Sequence, residues 1–555
     1  VEKVDLAADR SSTEPRVIWL VSREYDGLAG AGGVKDVCRQ LGQTLASVPG
    51  YQVRVILPCY GFMDPEALGF EPLHLDGLAP AVIRGRSFPC CFSVDMDYVD
   101  QPRRETVAIW EQCLDQVTVY LVEAERFGEK MGVYTYTQAE EERLAWQAQG
   151  SGHYDYFAMN ILLQKAALDL MLLQGQAPWV IHCQDGHAAT LPVMMRENSA
   201  YRHFFRQTGA VVTIHNAGLG YHQEVADLDF AGAVTGLSRQ VIQAGLLGLS
   251  FDPLVAAAGY AVLNTVSEQY ALELQETSED ARTGWLGHSL KQRGEALLGV
   301  TNGIDPESFN PLLPEPLGLA AAFDIPGGRL AGKQECKAAL LRQLAQLRQW
   351  KAVEQFGRLK GSAEQPLFTF IGRLTEQKGV DILLSALEEV LEANPGTAFL
   401  VLGSGDSGLE QRLQELSRSA GLLGRLCFLK GFDPGLATQV YAAGDFFLIP
   451  SRYEPCGLTD YIAQLLGNLP IVHHVGGLVK VIDGLTGFAY QDNSSTALME
   501  AMGRALEVYQ QPEILLEMQQ AAVQRISDYH TWDKVMLHYI RLYEQARAIL
   551  PGAGG

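Results

Sequence analysis

The stretch Ser451-Arg-Tyr-Glu-Pro-Cys-Gly-Leu-Thr459 sets a carboxylate (Glu454), a thiol (Cys456) and a glycine (Gly457) close together. The apolar run Phe446-Phe-Leu-Ile449 precedes it, and a helix-compatible segment from Leu458 to Leu466 follows. Strand, tight turn and helix in that order put the turn at the carboxyl edge of a sheet, where open α/β sheets bind ligands. The opening amides of the helix favour an anion there. Taken alone, the stretch also fits an ordinary βα loop with a capping acid. Arg373 and Lys378 leave another strand end five positions apart. Two cations so placed suit a departing diphosphate, or a plain surface ion pair. Val475-Gly-Gly-Leu478 supplies Gly476 and Gly477, whose amides could hold a phosphate. Gly27-Leu-Ala-Gly-Ala-Gly-Gly-Val34, with Gly32 and Gly33, is a further glycine-rich loop that would cradle a phosphate or simply turn the chain. His187 and His215-Asn216 each follow a strand. One such histidine usually fills space in a core or on a surface. Two at strand ends suggest a shared edge.

The elements that position these residues alternate. Val17–Val21, a helix from about Val34 to Leu45, and Val53–Leu57 form a βαβ unit around the first glycine loop. Trp179–His182, Ala210–Ile214 and Ala261–Val266 continue as strands, with helices over 154–173 and 188–196. Strand patterns also occur near Cys91 and over Val117–Val122, and the polar run 134–151 reads as a surface excursion. The second half repeats the scheme: strands at Leu367–Ile371, Ala398–Leu402, Leu426–Leu429, Phe446–Ile449 and Pro470–Val472, with an amphipathic helix after Gly379. Segment 330–360 reads as helical. Strands separated by helices imply parallel sheets covered on both faces. The expected class is α/β, two Rossmann-like domains in tandem. The expected division is a tail over 1–15, a first domain over 16–309, a second over 310–520 beginning at the proline-rich 310–316, and a terminal helical segment over 521–555.

Composition narrows the partners. With 43 basic and 65 acidic residues in 555, a net charge of −22 argues against nucleic acid or an anionic membrane as the main partner. No apolar run is expected to span a bilayer. The nine cysteines contain no C-x-x-C pair, so no zinc or redox signature is read, and buried reduced thiols of a cytoplasmic protein are expected.

Gly372-Arg-Leu-Thr-Glu-Gln-Lys-Gly379, the 451–459 stretch, Gly476-Gly-Leu478, Thr213-Ile-His-Asn216, Asn302-Gly-Ile-Asp305 and Tyr529-His-Thr-Trp532 together resemble bacterial glycogen synthase and plant starch synthase, in order and over nearly the whole chain. The resemblance implies the GT-B fold, two facing Rossmann-like domains with a C-terminal helix that crosses back to the first. It implies retaining transfer of glucose from ADP-glucose, or UDP-glucose, to the 4-hydroxyl of an α-1,4-glucan, with no metal or other cofactor. Arg373 and Lys378 would neutralise the nucleotide diphosphate. Glu454 would contact the donor glucose. Cys456, Gly457 and Leu458 would line the donor site, with phosphate amides from Gly476 and Gly477 and from Gly32 and Gly33. His187 would lie near the donor glucose. Asp155, His215 and Asn216 would lie on the acceptor side.

The chain departs from the family at three of these places. Gly30 stands where the family's first loop has Lys, and Lys35 comes only after the glycines. Gly186 replaces the Trp of Asp-Trp-His, and Asp460 replaces a Gln. Two other readings therefore stand beside the first: a related GT-B glycosyltransferase with another acceptor, and a non-catalytic glucan- or nucleotide-sugar-binding protein.

Overall fold

The structure, a computed structural model, describes residues 15–550. It divides into two compact units: one formed by the chain up to Gly303 together with Trp532 onward, the other by Ile304–Thr531. The expected tail, apart from its last residue, lies outside the described residues. The first change of unit falls at 303/304, not at the proline-rich 310–316, which begins the second unit's own short helix Pro314–Leu317. The return falls at 531/532, later than the expected 520/521, because the Pro512–Arg525 helix supplies Met518 and Ala522 to the second unit's core. The last helix, Trp532–Ala548, packs Tyr539, Tyr543 and Ala546 into the first unit's core.

In the first unit, strands 297–299, 262–265, 209–214, 180–184, 16–21, 51–58 and 117–123 lie side by side in that order and run parallel. Their residues are almost all buried, as a sheet covered on both faces requires. The sheet is not purely parallel. Arg104–Leu114, Arg86–Asp95 and Ala79–Ile83 extend it as antiparallel neighbours with alternating burial. Helix Tyr156–Gln174 corrects the expectation that no segment could span a bilayer. Its 19 residues suffice by length and composition, but 78% of its apolar window is buried inside the unit, so it is a core helix.

The second unit is a 7-stranded sheet in the order 353–357, 426–431, 398–403, 367–371, 446–449, 469–473, 488–490. All neighbours are parallel except Val353–Gly357, which pairs antiparallel with Leu426–Gly431. That edge strand corrects the helical reading of 330–360, whose helix ends at Leu344. Gln355 deceives the reading: its side chain is buried and bonded to local backbone instead of lying on a helix face.

Candidate functional site

Strands 367–371, 446–449 and 469–473 are adjacent and parallel, so the loops at their carboxyl ends share one edge. The structure stitches those loops together. Arg452 N–H donates to Gln377 O at 2.8 Å, and its guanidinium grips Asp381 with bonds of 2.7 and 2.6 Å. Gly379 sits at φ +67°, and a Cβ there would stand 1.9 Å from Pro450 O, so only glycine lets the loops approach.

Glu454 is the focus of this edge. Its side chain is 12% exposed, and one carboxylate oxygen accepts from Lys378 Nζ at 2.5 Å and from Ser451 Oγ at 3.0 Å. Burial pushes its pKa up, but Lys378, Ser451 and Lys480 outweigh burial and hold it below the usual range, so Glu454 is an anion at neutral pH. Beneath it, Lys480 Nζ donates to Cys456 O at 2.5 Å and Gly457 O at 2.6 Å. Lys480 also pairs with Asp460 at 3.1 Å. Asp460 is fully buried, and burial raises its pKa to about 6 against the pull of Lys480. Arg373 is exposed, with its guanidinium in no hydrogen bond or ion pair among the described residues.

The glycine pair 476–477 is placed differently from expectation. The Gly477 N–H is spent on Glu454 O at 2.9 Å rather than presented to a ligand. A Cβ on Gly476 would come within 2.1 Å of Glu454 O, and one on Gly477 within 2.0 Å of Cys456 O. The pair therefore lets one loop lie against the backbone of the other and fixes the direction of Glu454. Gly477→Ala is expected to destabilise the second unit by about 1–3 kcal/mol, as overpacking against a rigid backbone does. An unchanged thermal midpoint would show the loops to be loosely packed. Leu458 is the partly buried residue before helix Thr459–Leu465. Ser451 and Lys480 carried no role in the sequence reading. A hydroxyl three residues before the acid, and a lysine three residues after a double glycine, were the available signals.

In the first unit, strands 16–21, 180–184 and 209–214 are likewise adjacent and parallel. Their carboxyl ends bring together the first glycine loop, the 185–187 turn and His215-Asn216. Here the glycine loop is already occupied. Glu24, 1% exposed, accepts from Ala31 N–H at 2.8 Å and Gly32 N–H at 3.1 Å, and its other oxygen accepts from Tyr134 OH at 2.8 Å. The expected phosphate cradle at Gly32 is thus filled by the protein's own carboxylate. An acid at a strand end just before a glycine-rich loop was the sequence signal for it. Gly33 begins helix Val34–Ala46. Lys35 Nζ is held by Asp26 at 2.9 Å and Asp36 at 2.7 Å. The buried Arg23 guanidinium donates to Tyr60, Asn160 and Val133 O. Neither cation replaces the lysine missing at Gly30.

His187 is 2% exposed, and its Nε2 accepts the Arg23 backbone N–H at 3.1 Å. Burial, with Arg23 and His215 nearby, holds its pKa well below the ordinary range. The ring is therefore neutral with its proton on Nδ1, a hydrogen-bond donor rather than a proton carrier. Asp185, at φ 52°, accepts the His215 N–H at 2.6 Å, and burial raises its pKa to about 7. The absence of the family's Trp has a steric reason: a Cβ on Gly186 would lie 2.2 Å from His222 O. His215 Nε2 pairs with Gln184 at 2.7 Å, and Asn216 Oδ1 accepts from Gly218 N–H at 2.8 Å. Asp155 stands apart from this edge. Arg126 at 2.7 Å and Lys130 at 2.8 Å neutralise its carboxylate, which suits a structural clamp better than an acceptor contact. Among the described residues no group of His, Cys, Asp and Glu side chains is arranged to hold a metal ion.

Residues 17–291 match the starch synthase catalytic domain family, and 353–524 match the glycosyl transferases group 1 family. The chain is 30% identical to a glycogen synthase of Syntrophotalea carbinolica over 95% of its own length and 98% of the relative's. It is 30% identical to a glycogen synthase of Aeromonas salmonicida over 96% and 99%. Among solved structures it is similar to the catalytic domain of starch synthase IV from Arabidopsis thaliana bound to ADP and acarbose, with TM-score 0.73 and 25% identity, covering 97% of this chain and all of the other. A sucrose-phosphate synthase from Thermosynechococcus elongatus, at 16% identity and TM-score 0.55, shares the fold alone.

Proposed function

Because the chain is a GT-B glycosyltransferase of the glycogen and starch synthase family, we propose that it moves glucose from ADP-glucose to the 4-hydroxyl end of an α-1,4-glucan, retaining the anomeric configuration. The observation that carries this reading is the ionised Glu454, half-buried beside Lys378 and aimed by Ser451 and the glycine pair. A carboxylate held in this way can fix sugar hydroxyls by charge-assisted hydrogen bonds. The free guanidinium of Arg373 and the ammonium of Lys378 take the charge that collects on the departing diphosphate. The bond from C1 to the phosphate oxygen breaks, the bond from C1 to the acceptor O4 forms on the same face, and the hydroxyl proton leaves with the phosphate. No resident metal is assigned a part in this reading. In the first unit, the neutral His187 ring, with its proton on Nδ1, can donate to a sugar hydroxyl. The nine cysteines, all but Cys113 buried, support a reducing cytoplasmic setting.

Adenine is favoured over uracil because the starch synthase relative was solved with ADP. The experiment is nucleoside diphosphate release by the purified protein with glycogen, from ADP-glucose and from UDP-glucose in parallel. Faster, glycogen-dependent release from ADP-glucose is expected. Release independent of glycogen would point to another acceptor. The amides lost to Glu24 and the glycine at position 30 favour a second reading, a non-catalytic binder. Binding of glucan or nucleotide without release from either donor would establish it.

A further inference from the structure

The loop over 476–480 does more for the second unit's edge than aim Glu454. Its Gly477 N–H holds the Glu454 carbonyl at 2.9 Å, and its Lys480 Nζ holds the carbonyls of Cys456 at 2.5 Å and Gly457 at 2.6 Å. Three of the four carbonyls over 454–457 are therefore tied down by one loop. No peptide bond among the described residues is cis, and a trans peptide points its N–H away from its own C=O. The N–H groups of Gly457 and Leu458 are thus turned away from Lys480, and no protein group accepts either among the described residues. Gly457, at φ +74°, lets two successive carbonyls meet the same ammonium. A Cβ there would also stand 2.9 Å from Leu478 Cδ2 and 3.0 Å from Asp460 Oδ1. Adjacent backbone N–H groups presented by a turn attract an anion.

Lys480 itself has nothing left to offer a ligand. An ammonium carries three N–H donors. Those of Lys480 face Cys456 O, Gly457 O and Asp460 Oδ1, the last at 3.1 Å, and the side chain is only 7% exposed. The Tyr461 ring lies beside it, with its centroid 4.4 Å from Nζ. A buried ammonium needs a counter-charge, and the fully buried Asp460 supplies it. That gives a physical reason for the acid that stands where the family has Gln.

We propose that Lys480 is a positioning residue for the donor's diphosphate: it fixes the 456–458 backbone with the Gly457 and Leu458 amides turned outward, and it does not touch the anion. This inference rests on the proposed function only for the identity of the anion.

The test measures binding of inorganic pyrophosphate and of ADP by calorimetry, on the full chain and on its Lys480→Met, Lys480→Met/Asp460→Asn and Lys480→Arg variants. The double variant removes one charge of each sign, so it keeps the net charge of the edge and leaves no buried ion alone. It and Lys480→Met should bind both ligands about tenfold more weakly than wild type, with circular dichroism unchanged. Lys480→Arg, which keeps donors for the same carbonyls, should retain most of the affinity. In kinetics the KM for the nucleotide sugar should rise about tenfold in the first two variants, and the KM for glycogen should stay in place. A double variant that binds pyrophosphate as tightly as wild type would overturn the proposal, because Lys480 would then act through its charge or not at all. So would a wild type that binds neither pyrophosphate nor ADP, or variants whose KM for glycogen rises equally, the mark of a general structural role. Pyrophosphate binding that weakens in both variants of a protein that releases no diphosphate from either nucleotide sugar would leave the assignment of Lys480 standing and remove the transferase reading instead.

Discussion

A Glu454→Ala chain should transfer glucose at least about 100-fold more slowly than the wild type, the scale seen when one preorganised polar group is removed from a reacting centre. The loss should fall on kcat more than on nucleotide-sugar KM, because the carboxylate serves the sugar and not the nucleotide. Folding should survive. The side chain is 12% exposed, and its partner Lys378, 21% exposed, keeps access to water when the pair is broken. Leaving Lys378 alone therefore avoids the full cost of a buried unpaired charge. Glu454→Gln keeps the shape but not the charge and should fall between the two. Measured rates of glucose incorporation, beside thermal midpoints, decide the matter. A Glu454→Ala rate within threefold of wild type would remove the role given to this carboxylate.

Mild acid should destabilise the first unit well before it titrates most carboxylates. Burial pushes His182 and His215 down to about 3 and His153 down to about 4, and it holds His187 well below its ordinary range. Each is neutral when folded and charges near pH 6.5 when unfolded. Their stabilising contribution is therefore complete above pH 6.5 and is lost as the pH falls. Two carboxyls oppose the trend. Burial raises Asp185 to about 7 and Asp169 to about 6, so each binds a proton in the folded state first and gains stability on acidification. His222, raised through its pair with Asp252 despite burial, adds a smaller opposing effect in the same window. The four depressed imidazoles outweigh the raised Asp185, Asp169 and His222, which leaves a net loss of stability as the pH falls from 6.5 to 5. Calorimetry at pH 7.5 and pH 5.0 should show the first unit's transition shifted down by several degrees. A transition that stays in place would mean that these imidazoles charge inside the folded protein.

The second unit was the more legible half. Its central strands are short and mostly apolar, and Leu367–Ile371, Ala398–Gly403 and Phe446–Ile449 end in or against glycine or proline, so the order of loops along the carboxyl edge could be read from residue types alone. Val353–Gly357 was not legible, because the buried Gln355 imitates a helical polar position. In the first unit the antiparallel extension over 79–114 hid behind a half-exposed alternation that fits several arrangements. The site shows the same limit. Glu454, Lys378 and Arg373 announce themselves by charge at strand ends. What surrounds such groups is less legible: in the second unit Lys480 reaches the 456–457 carbonyls from another loop, and in the first unit Glu24 takes the amides of a loop that fits a phosphate. Gly186 departs from the family's Trp, and only the His222 carbonyl shows why no side chain fits there. Glycine spacing tells that two backbones approach closely, but not whether the second is a ligand's or the protein's own.

Glucosyl transfer to the non-reducing end of an α-glucan by the edge that carries Glu454 leaves its signature in the product. Its most direct test is to incubate the protein with glycogen and radiolabelled ADP-glucose, recover the polymer, and digest it with β-amylase, which cuts maltose only from α-1,4-linked ends. Label should enter the polymer and be released as maltose, with almost none incorporated by Glu454→Ala. Label that resists β-amylase, or that enters the polymer equally well with Glu454→Ala, would contradict it.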